Sequence, residues 1–139
     1  MESVRIRIER IEGYLQIITS MKDDCLKKFL KDPIYRGALL HYLYLIADSC
    51  ISLAELVIRH KGLRTPQRRV TQRPLIFLVK TISYPPEFAY EFAKIAAFRN
   101  FLAHDYDRID YLAICNDILS RMSEIAEYLS HIRKSLEIV

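Results

Sequence analysis

Apolar side chains recur at steps of three and four residues through most of this chain, and that spacing constrains its fold more than any other feature. The C-terminal segment shows the most regular pattern, because its apolar residues fall on one face of a helix. These residues are Tyr111, Cys115, Ile118, Met122, Ile125, Leu129, Ile132 and Leu136. The pattern predicts a long amphipathic helix that begins near Asp107 or Asp110, either of which can cap it.

Two further long helices are predicted in the N-terminal half. Residues 3 to 31 form the first, and Asp32-Pro33 ends it because the residue before a proline avoids the helical conformation. The second runs from about Pro33 to His60, with Gly62 as its stop. The apolar stripe of the first helix is Val4, Ile8, Ile11, Leu15 and Ile18. The stripe of the second is wide enough to predict a central position: Leu39, Leu40, Tyr42, Leu43, Tyr44, Ile46, Cys50, Ile51, Leu53 and Val57.

A short helix and a fourth main helix complete the predicted fold. Pro74 fits the first turn of the short helix, although residues 75–79 also fit a buried strand. We favour a helix because no other segment offers a strand to pair with. The fourth main helix runs from about Pro86 to Ala103. We therefore predict an all-α, up-and-down bundle of four main helices plus one short helix, in a single domain over residues 1–139.

Composition and motif content narrow the classes of function. No apolar run approaches the ~20 residues that span a bilayer, and the N-terminus lacks a signal-peptide core, so we expect a soluble cytoplasmic protein with no membrane association. The histidines show no metal-ligand spacing, which predicts no metal site. No phosphate-binding glycine loop, serine-hydrolase elbow or paired-carboxylate motif is present, so we expect no cofactor.

The cysteines are an odd number at wide spacing, with no C-x-x-C pair. Cys50 and Cys115 lie on apolar helical stripes, as expected of small hydrophobic side chains. We therefore predict that Cys25, Cys50 and Cys115 are neither metal ligands nor disulfide partners.

Positive charge is concentrated in one segment. Residues 61–73 contain five basic residues and no acidic one, whereas the net charge of the whole chain is only +4. A local basic segment suits contact with phosphate groups. Its arginines, Arg64, Arg68, Arg69 and Arg73, are candidates for RNA binding, and a solvated loop is the plain structural alternative.

One short segment combines residue types that suit phosphodiester chemistry: Arg99-Asn100-Phe101-Leu102-Ala103-His104-Asp105-Tyr106. Arg99 is a permanent cation on the otherwise apolar stripe of the fourth main helix. It therefore needs a carboxylate, a polar cleft or an anionic ligand. His104 offers an imidazole, which titrates near neutral pH. Tyr106 can donate or accept a hydrogen bond, and Asn100 can bind phosphate or a base edge.

Each of these residues also has a purely structural interpretation. Arg99 can form an ion pair with Asp105 or Asp107, His104 can cap a helix, and Tyr106 can lie at a helix junction. On one continuous helix, the side chains of Arg99 and His104 would point about 140° apart. Either the helix ends before His104, or the site is assembled across a dimer.

The order R-N-x-x-x-H-x-Y resembles the signature of the HEPN domains, specifically the HepT-like toxin ribonucleases. The resemblance covers roughly residues 35 to 112, because the second predicted helix looks like the central helix of that family, with polar Asp48 and Glu55 on an apolar background. Ala97 and Ala103 depart from the pattern, since family members often have glycine and valine there.

The resemblance implies a metal-independent endoribonuclease that acts as the toxin of a toxin–antitoxin pair. Its substrate would be RNA, and its antitoxin would be an MNT-type nucleotidyltransferase that transfers AMP onto Tyr106. Family members form homodimers in which two copies of the motif line one cleft. Arg99 would stabilise charge on the phosphate, His104 would act as general base or acid, and Asn100 would orient the scissile phosphate.

Two other functions fit the same residues. A non-catalytic HEPN module would use the motif to bind a nucleotide or a partner alongside a nucleotidyltransferase. A plain helical dimerisation protein would need Arg99 to be closed to solvent and fully paired by acids.

Overall fold

The computed structural model describes residues 2–60, 98–103 and 108–136, and every regular element in these ranges is helical. Helix α1 (Glu2–Met21) is followed by a 3-10 turn (Lys22–Asp24), the short α2 (Cys25–Lys28) and α3 (Pro33–His60). The described part of helix α4 is residues 98–103, and the predicted start of this helix near Pro86 lies outside the described residues. A π-helical segment (Ala113–Ile118), a 3-10 turn (Leu119–Arg121) and α5 (Met122–Ser135) complete the described chain. The predicted all-α, HEPN-like fold is confirmed, and the helix-or-strand question at 75–79 lies outside the described residues.

Helix α3 is the central element, as its wide apolar stripe predicts. Its buried residues extend around most of its circumference, and α1 packs along its length. The rings of Tyr14 and Tyr42 meet across this contact with centroids 6.1 Å apart. The buried side chains of α3 are Leu39, Leu40, Leu43, Ile46, Ala47, Ser49, Cys50, Ile51, Leu53, Ala54 and Val57.

The apolar character of α3 corrects one expectation. By length and composition, the stretch Pro33–Val57 could cross a bilayer, although no such segment was expected from the sequence. However, 56% of its most apolar window is buried inside the bundle. The apolar side chains therefore form the core of a helical domain, which is the commoner origin of such a helix.

The start of α3 is fixed by a side-chain cap. The Asp32 carboxylate accepts hydrogen bonds from the backbone N–H groups of Ile34 (3.0 Å) and Tyr35 (3.2 Å). These groups have no partner inside the helix, so the cap stabilises its first turn. Because Pro33 supplies no N–H there, its position costs no hydrogen bond. The predicted start of this helix at Pro33 is confirmed, whereas Gly62, its predicted stop, lies outside the described residues.

The prediction of a single helix over residues 3–31 is wrong. Helix α1 ends at Met21, where the backbone carbonyl accepts a hydrogen bond from the Tyr35 hydroxyl. The physical reason is visible in the apolar stripe, which breaks at Lys22, the position after Ile18 that should be apolar. A 3-10 turn and the short α2 follow, and Phe29, directly after α2, is buried in the core.

The prediction for the cysteines is wrong for two of the three. Cys25 and Cys115 form a disulfide across 90 residues of sequence, with their Cα atoms 5.6 Å apart. The bond joins α2 to the π-helical segment, and the rings of Phe29 and Tyr111 stack beside it with centroids 6.3 Å apart. Cys50 is the free, buried thiol that the sequence predicts, and burial raises its pKa to about 12.

The C-terminal helix begins as predicted, but the residues that it buries change partway along its length. The Asp110 carboxylate accepts a hydrogen bond from the Leu112 N–H at 3.0 Å, which confirms Asp110 as a cap. From Ile125 onward, the predicted stripe is buried at Ile125, Leu129 and Ile132 and partly buried at Leu136. Before it, Ile114 and Leu119 are the fully buried residues, because a π-helical turn contains an extra residue and rotates the chain relative to a 3.6-residue repeat.

We expect removal of the disulfide to lower the free energy of unfolding by up to about 4.5 kcal/mol, because the bond closes a long loop in the unfolded chain. The measurement is urea unfolding of Cys25→Ser and Cys115→Ser, each with and without a dithiol reductant. Both variants should unfold at the same urea concentration whether or not reductant is present.

Cys50→Ala is the matched control, because it removes a cysteine that is not in the bond. Its midpoint should still fall when reductant is added, as in the wild type. A wild-type midpoint that does not respond to reductant would contradict the disulfide.

Candidate functional site

Helix α4 carries the first half of the arginine–histidine motif and is anchored by its apolar side. Leu102 is buried and Phe98 packs against the same core. These two residues are four positions apart and therefore share a face of the helix. Arg99 and Ala103 share the adjacent face by the same spacing. Core packing thus fixes where the arginine is presented.

Arg99 forms an ion pair with the central helix. Its Nε atom lies 3.7 Å from Oδ1 of Asp48 on α3. The distance is too long for a hydrogen bond, and no described residue accepts one from this buried Nε atom. A buried donor without an acceptor is costly, and its presence shows that Asp48 does not saturate the hydrogen-bonding capacity of the guanidinium.

The ion pair is open to solvent in part, and this bears on the competing interpretations. The Arg99 side chain is 23% exposed and the Asp48 side chain 46% exposed. A plain dimerisation protein requires an arginine closed to solvent, whereas this one is accessible from one side. Asp105 and Asp107, the partners considered from sequence, lie outside the described residues.

A groove lies beside this ion pair, between α3 and α4. Its volume is about 500 Å³, and it is lined in the described chain by Gly37, Leu40, His41, Tyr44, Leu102 and Ala103. Gly37, His41, Tyr44 and Asp48 follow one another at steps of four, three and four residues. They therefore share one face of α3, and the groove and the carboxylate belong to a single continuous surface.

The other predicted site residues divide into two groups. Asn100 is on α4 and exposed to solvent, as a ligand-binding amide would need to be. The remaining predicted residues lie outside the described ranges: His104, Tyr106, Arg64, Arg68, Arg69 and Arg73. Of these, His104 follows Ala103 directly in the chain, and Ala103 lines the groove.

Metal ligation has no support in the described ranges 2–60, 98–103 and 108–136. Those ranges contain no group of three or more histidine, cysteine or acidic side chains placed to hold a metal ion. The chemistry available in the described part of the site is therefore that of a cation, a carboxylate, an imidazole and a phenol.

Sequence reasoning missed three residues of this surface. Asp48 was seen as a polar residue on an apolar helix, but its pairing with Arg99 was not predicted. His41 and Tyr44 were not considered for the site at all. The signal was present in the steps of four, three and four residues from Gly37 to Asp48, which place these four residues on one face of the helix.

Comparison with known proteins now adds to this geometry. The family model described as "Ribonuclease HepT-like" matches residues 7–132, which include α3, α4 and the groove. No curated protein matches the sequence.

The Arg99–Asp48 pair should contribute little to folding, because both side chains are partly solvated. We expect a double-mutant cycle of Arg99→Ala and Asp48→Asn to give a coupling energy below about 1 kcal/mol in urea unfolding. Asp117→Asn, which alters an exposed carboxylate on the C-terminal helix, is the control and should show no coupling. A coupling of several kcal/mol would instead make the pair a structural element of the core.

Proposed function

We propose that this chain, which belongs to the HepT-like ribonuclease family, is a metal-independent endoribonuclease and the toxin of a toxin–antitoxin pair. One observation carries the proposal: a partly exposed arginine, held by a carboxylate of the central helix, lies beside a groove. Ala103 lines that groove, and His104 is the next residue in the chain. A cation can stabilise charge on the phosphate, and an imidazole can transfer a proton, so both groups suit cleavage of RNA.

Arg99 is proposed to stabilise the charge that develops on the phosphoryl oxygens. Its guanidinium carries several donors in one plane, which matches the geometry of a phosphate. Asp48 holds one side of that group, and the exposed side is free to meet the substrate. Because the cation is fixed before the substrate arrives, little reorganisation is needed in the transition state.

His104 is proposed to move the proton. As general base it takes the proton from a ribose 2′-OH, whose oxygen then forms a bond to the adjacent phosphorus. The bond from phosphorus to the 5′-oxygen of the next nucleotide breaks, and that oxygen receives a proton from a general acid. The products are a 2′,3′-cyclic phosphate and a free 5′-OH. Because the nucleophile belongs to the substrate, no metal is needed to generate it.

A homodimer would supply both proton-transfer groups. Two copies of the motif would line one cleft, with His104 of one protomer acting as base and its counterpart as acid. Asn100, exposed on α4, would orient the scissile phosphate. Arg64, Arg68, Arg69 and Arg73 would hold flanking RNA through phosphate contacts, which position a strand without reading its sequence.

The proposed partner is an MNT-type nucleotidyltransferase that acts as the antitoxin. It would transfer AMP from ATP onto the hydroxyl of Tyr106, releasing pyrophosphate. Tyr106 is two residues beyond His104, so the modification would add bulk and negative charge where RNA must approach.

The direct test is RNA cleavage by purified protein in the presence of EDTA. We expect the wild type to cleave, and Arg99→Ala and His104→Ala to lose at least about 100-fold in kcat/KM, as is usual for removal of an electrostatic or acid–base group. Arg10→Ala and His60→Ala, at exposed positions outside the motif, are the matched controls and should retain activity.

The products and the protein's modification state complete that test. Cyclic-phosphate ends should appear, and intact mass should first show that Tyr106 carries no adduct. Full activity in a folded His104→Ala protein would remove His104 from the mechanism. Tight nucleotide binding without cleavage of total RNA or tRNA would support a non-catalytic binding module.

The partner is tested separately by incubation with an MNT-type nucleotidyltransferase and ATP. One AMP per chain is expected on Tyr106, together with loss of cleavage. Tyr106→Phe should neither gain AMP nor lose activity on incubation, since it lacks the acceptor oxygen. AMP transfer to a different tyrosine would refute the assignment of the acceptor.

A further inference from the structure

The groove between α3 and α4 has the composition of a nucleobase site. Its floor is apolar, since Leu40 and Leu102 are almost completely buried. Its rim carries the imidazole of His41 and the phenol ring of Tyr44. Its volume of about 500 Å³ falls within the range of small-molecule sites. We propose that this groove binds one base of the RNA, next to the scissile phosphate.

Stacking and hydrogen bonding are divided between the two rim residues. Tyr44 is half-buried and offers an aromatic surface, on which any base can stack. His41 is exposed, and its ring lies 6.0 Å from that of Tyr42, which limits its freedom. An imidazole can donate and accept, so it can bond the edge of a base that Tyr44 holds by its face.

Gly37 contributes open space to the groove. It lies within α3, where glycine weakens a helix, and it lines the groove. A Cβ atom added there would meet no atom within 4 Å, so packing inside the described protein does not require glycine. A side chain at this position would instead occupy the space that a bound base needs.

The position of the groove joins this site to the proposed chemistry. Tyr44 is one helical turn, about 6 Å, from Asp48, which holds Arg99. Ala103 lines the groove and is bonded to His104. A base seated against Tyr44 would therefore belong to a nucleotide adjacent to the phosphate on Arg99. In this respect the inference rests on the proposed function, and it makes Tyr44 and His41 positioning residues.

Binding is tested without cleavage, using a short RNA that carries 2′-O-methyl groups at every position and a fluorescent label. We expect Tyr44→Ala to weaken binding by about 5- to 150-fold, the range for loss of one stacked base, and Tyr44→Phe to retain it. Gly37→Trp should block the groove and weaken binding to a similar extent. Gly13→Trp, at an exposed α1 glycine whose added Cβ is also unobstructed, is the control and should bind normally.

Cleavage kinetics distinguish a role in RNA binding from a role in stabilising the fold. Each groove variant should raise KM for unmodified RNA by more than it lowers kcat, and His41→Gln should retain more binding than His41→Ala. Circular dichroism identifies any variant that fails to fold. In that case Gly37→Leu, which is smaller and favours helix, replaces the tryptophan variant.

The outcomes separate this inference from the proposed function. If wild type cleaves RNA and the folded groove variants match it in binding and KM, the groove is not the base site and the ribonuclease stands. If wild type binds the methylated RNA in a Gly37-dependent manner but never cleaves, the base site stands and the ribonuclease fails. A change from dimer to monomer in Gly37→Trp would overturn the inference, because the groove would then be an interface between copies.

Discussion

The burial of α3 on most of its sides is the constraint on which the rest of the structure depends. Helix α1 packs along α3, and the less buried face of α3 bears His41, Tyr44 and Asp48. The core holds the backbone of Asp48, although its side chain is 46% exposed. Any cation that α4 presents to this face is therefore drawn to a fixed point, which makes the position of Arg99 a consequence of hydrophobic packing elsewhere.

The ion pair and the groove lie on one surface, so they can be considered as parts of one site. Arg99 is 23% exposed, and no described residue accepts a hydrogen bond from its buried Nε. Its ion pair therefore contributes little to the stability of the fold. The same arrangement is well suited to an anion, because the carboxylate orients the guanidinium without saturating it. The neighbouring groove adds an apolar floor and two ring systems, so phosphate and base could be recognised within two turns of one helix.

Much of the fold was predictable from sequence, and most of the site was not. The start of α3 followed from local signals, since Asp32 and Pro33 act on the adjacent turn. The break after Met21 was missed although Lys22 interrupts the apolar stripe there. The Cys25–Cys115 bond was missed because it depends on which distant segments meet, and a separation of 90 residues carries no such information. The motif identified Arg99 as a cation in need of a partner, yet the partner came from another helix. Spacing along one helix cannot show a contact between two.

The disulfide also determines how mechanical load would pass through the molecule. Because Cys25 is bonded to Cys115, a pulling force applied to α1 and to α5 crosses directly from one cysteine to the other. The ring of chain between them, which contains α3 and α4, lies outside the load path. Traction would thus peel away α1 and α5, while the covalently closed ring could not be extended. Helices α3 and α4 carry the candidate site. Because they lie inside the closed ring, tension along the backbone cannot stretch them apart.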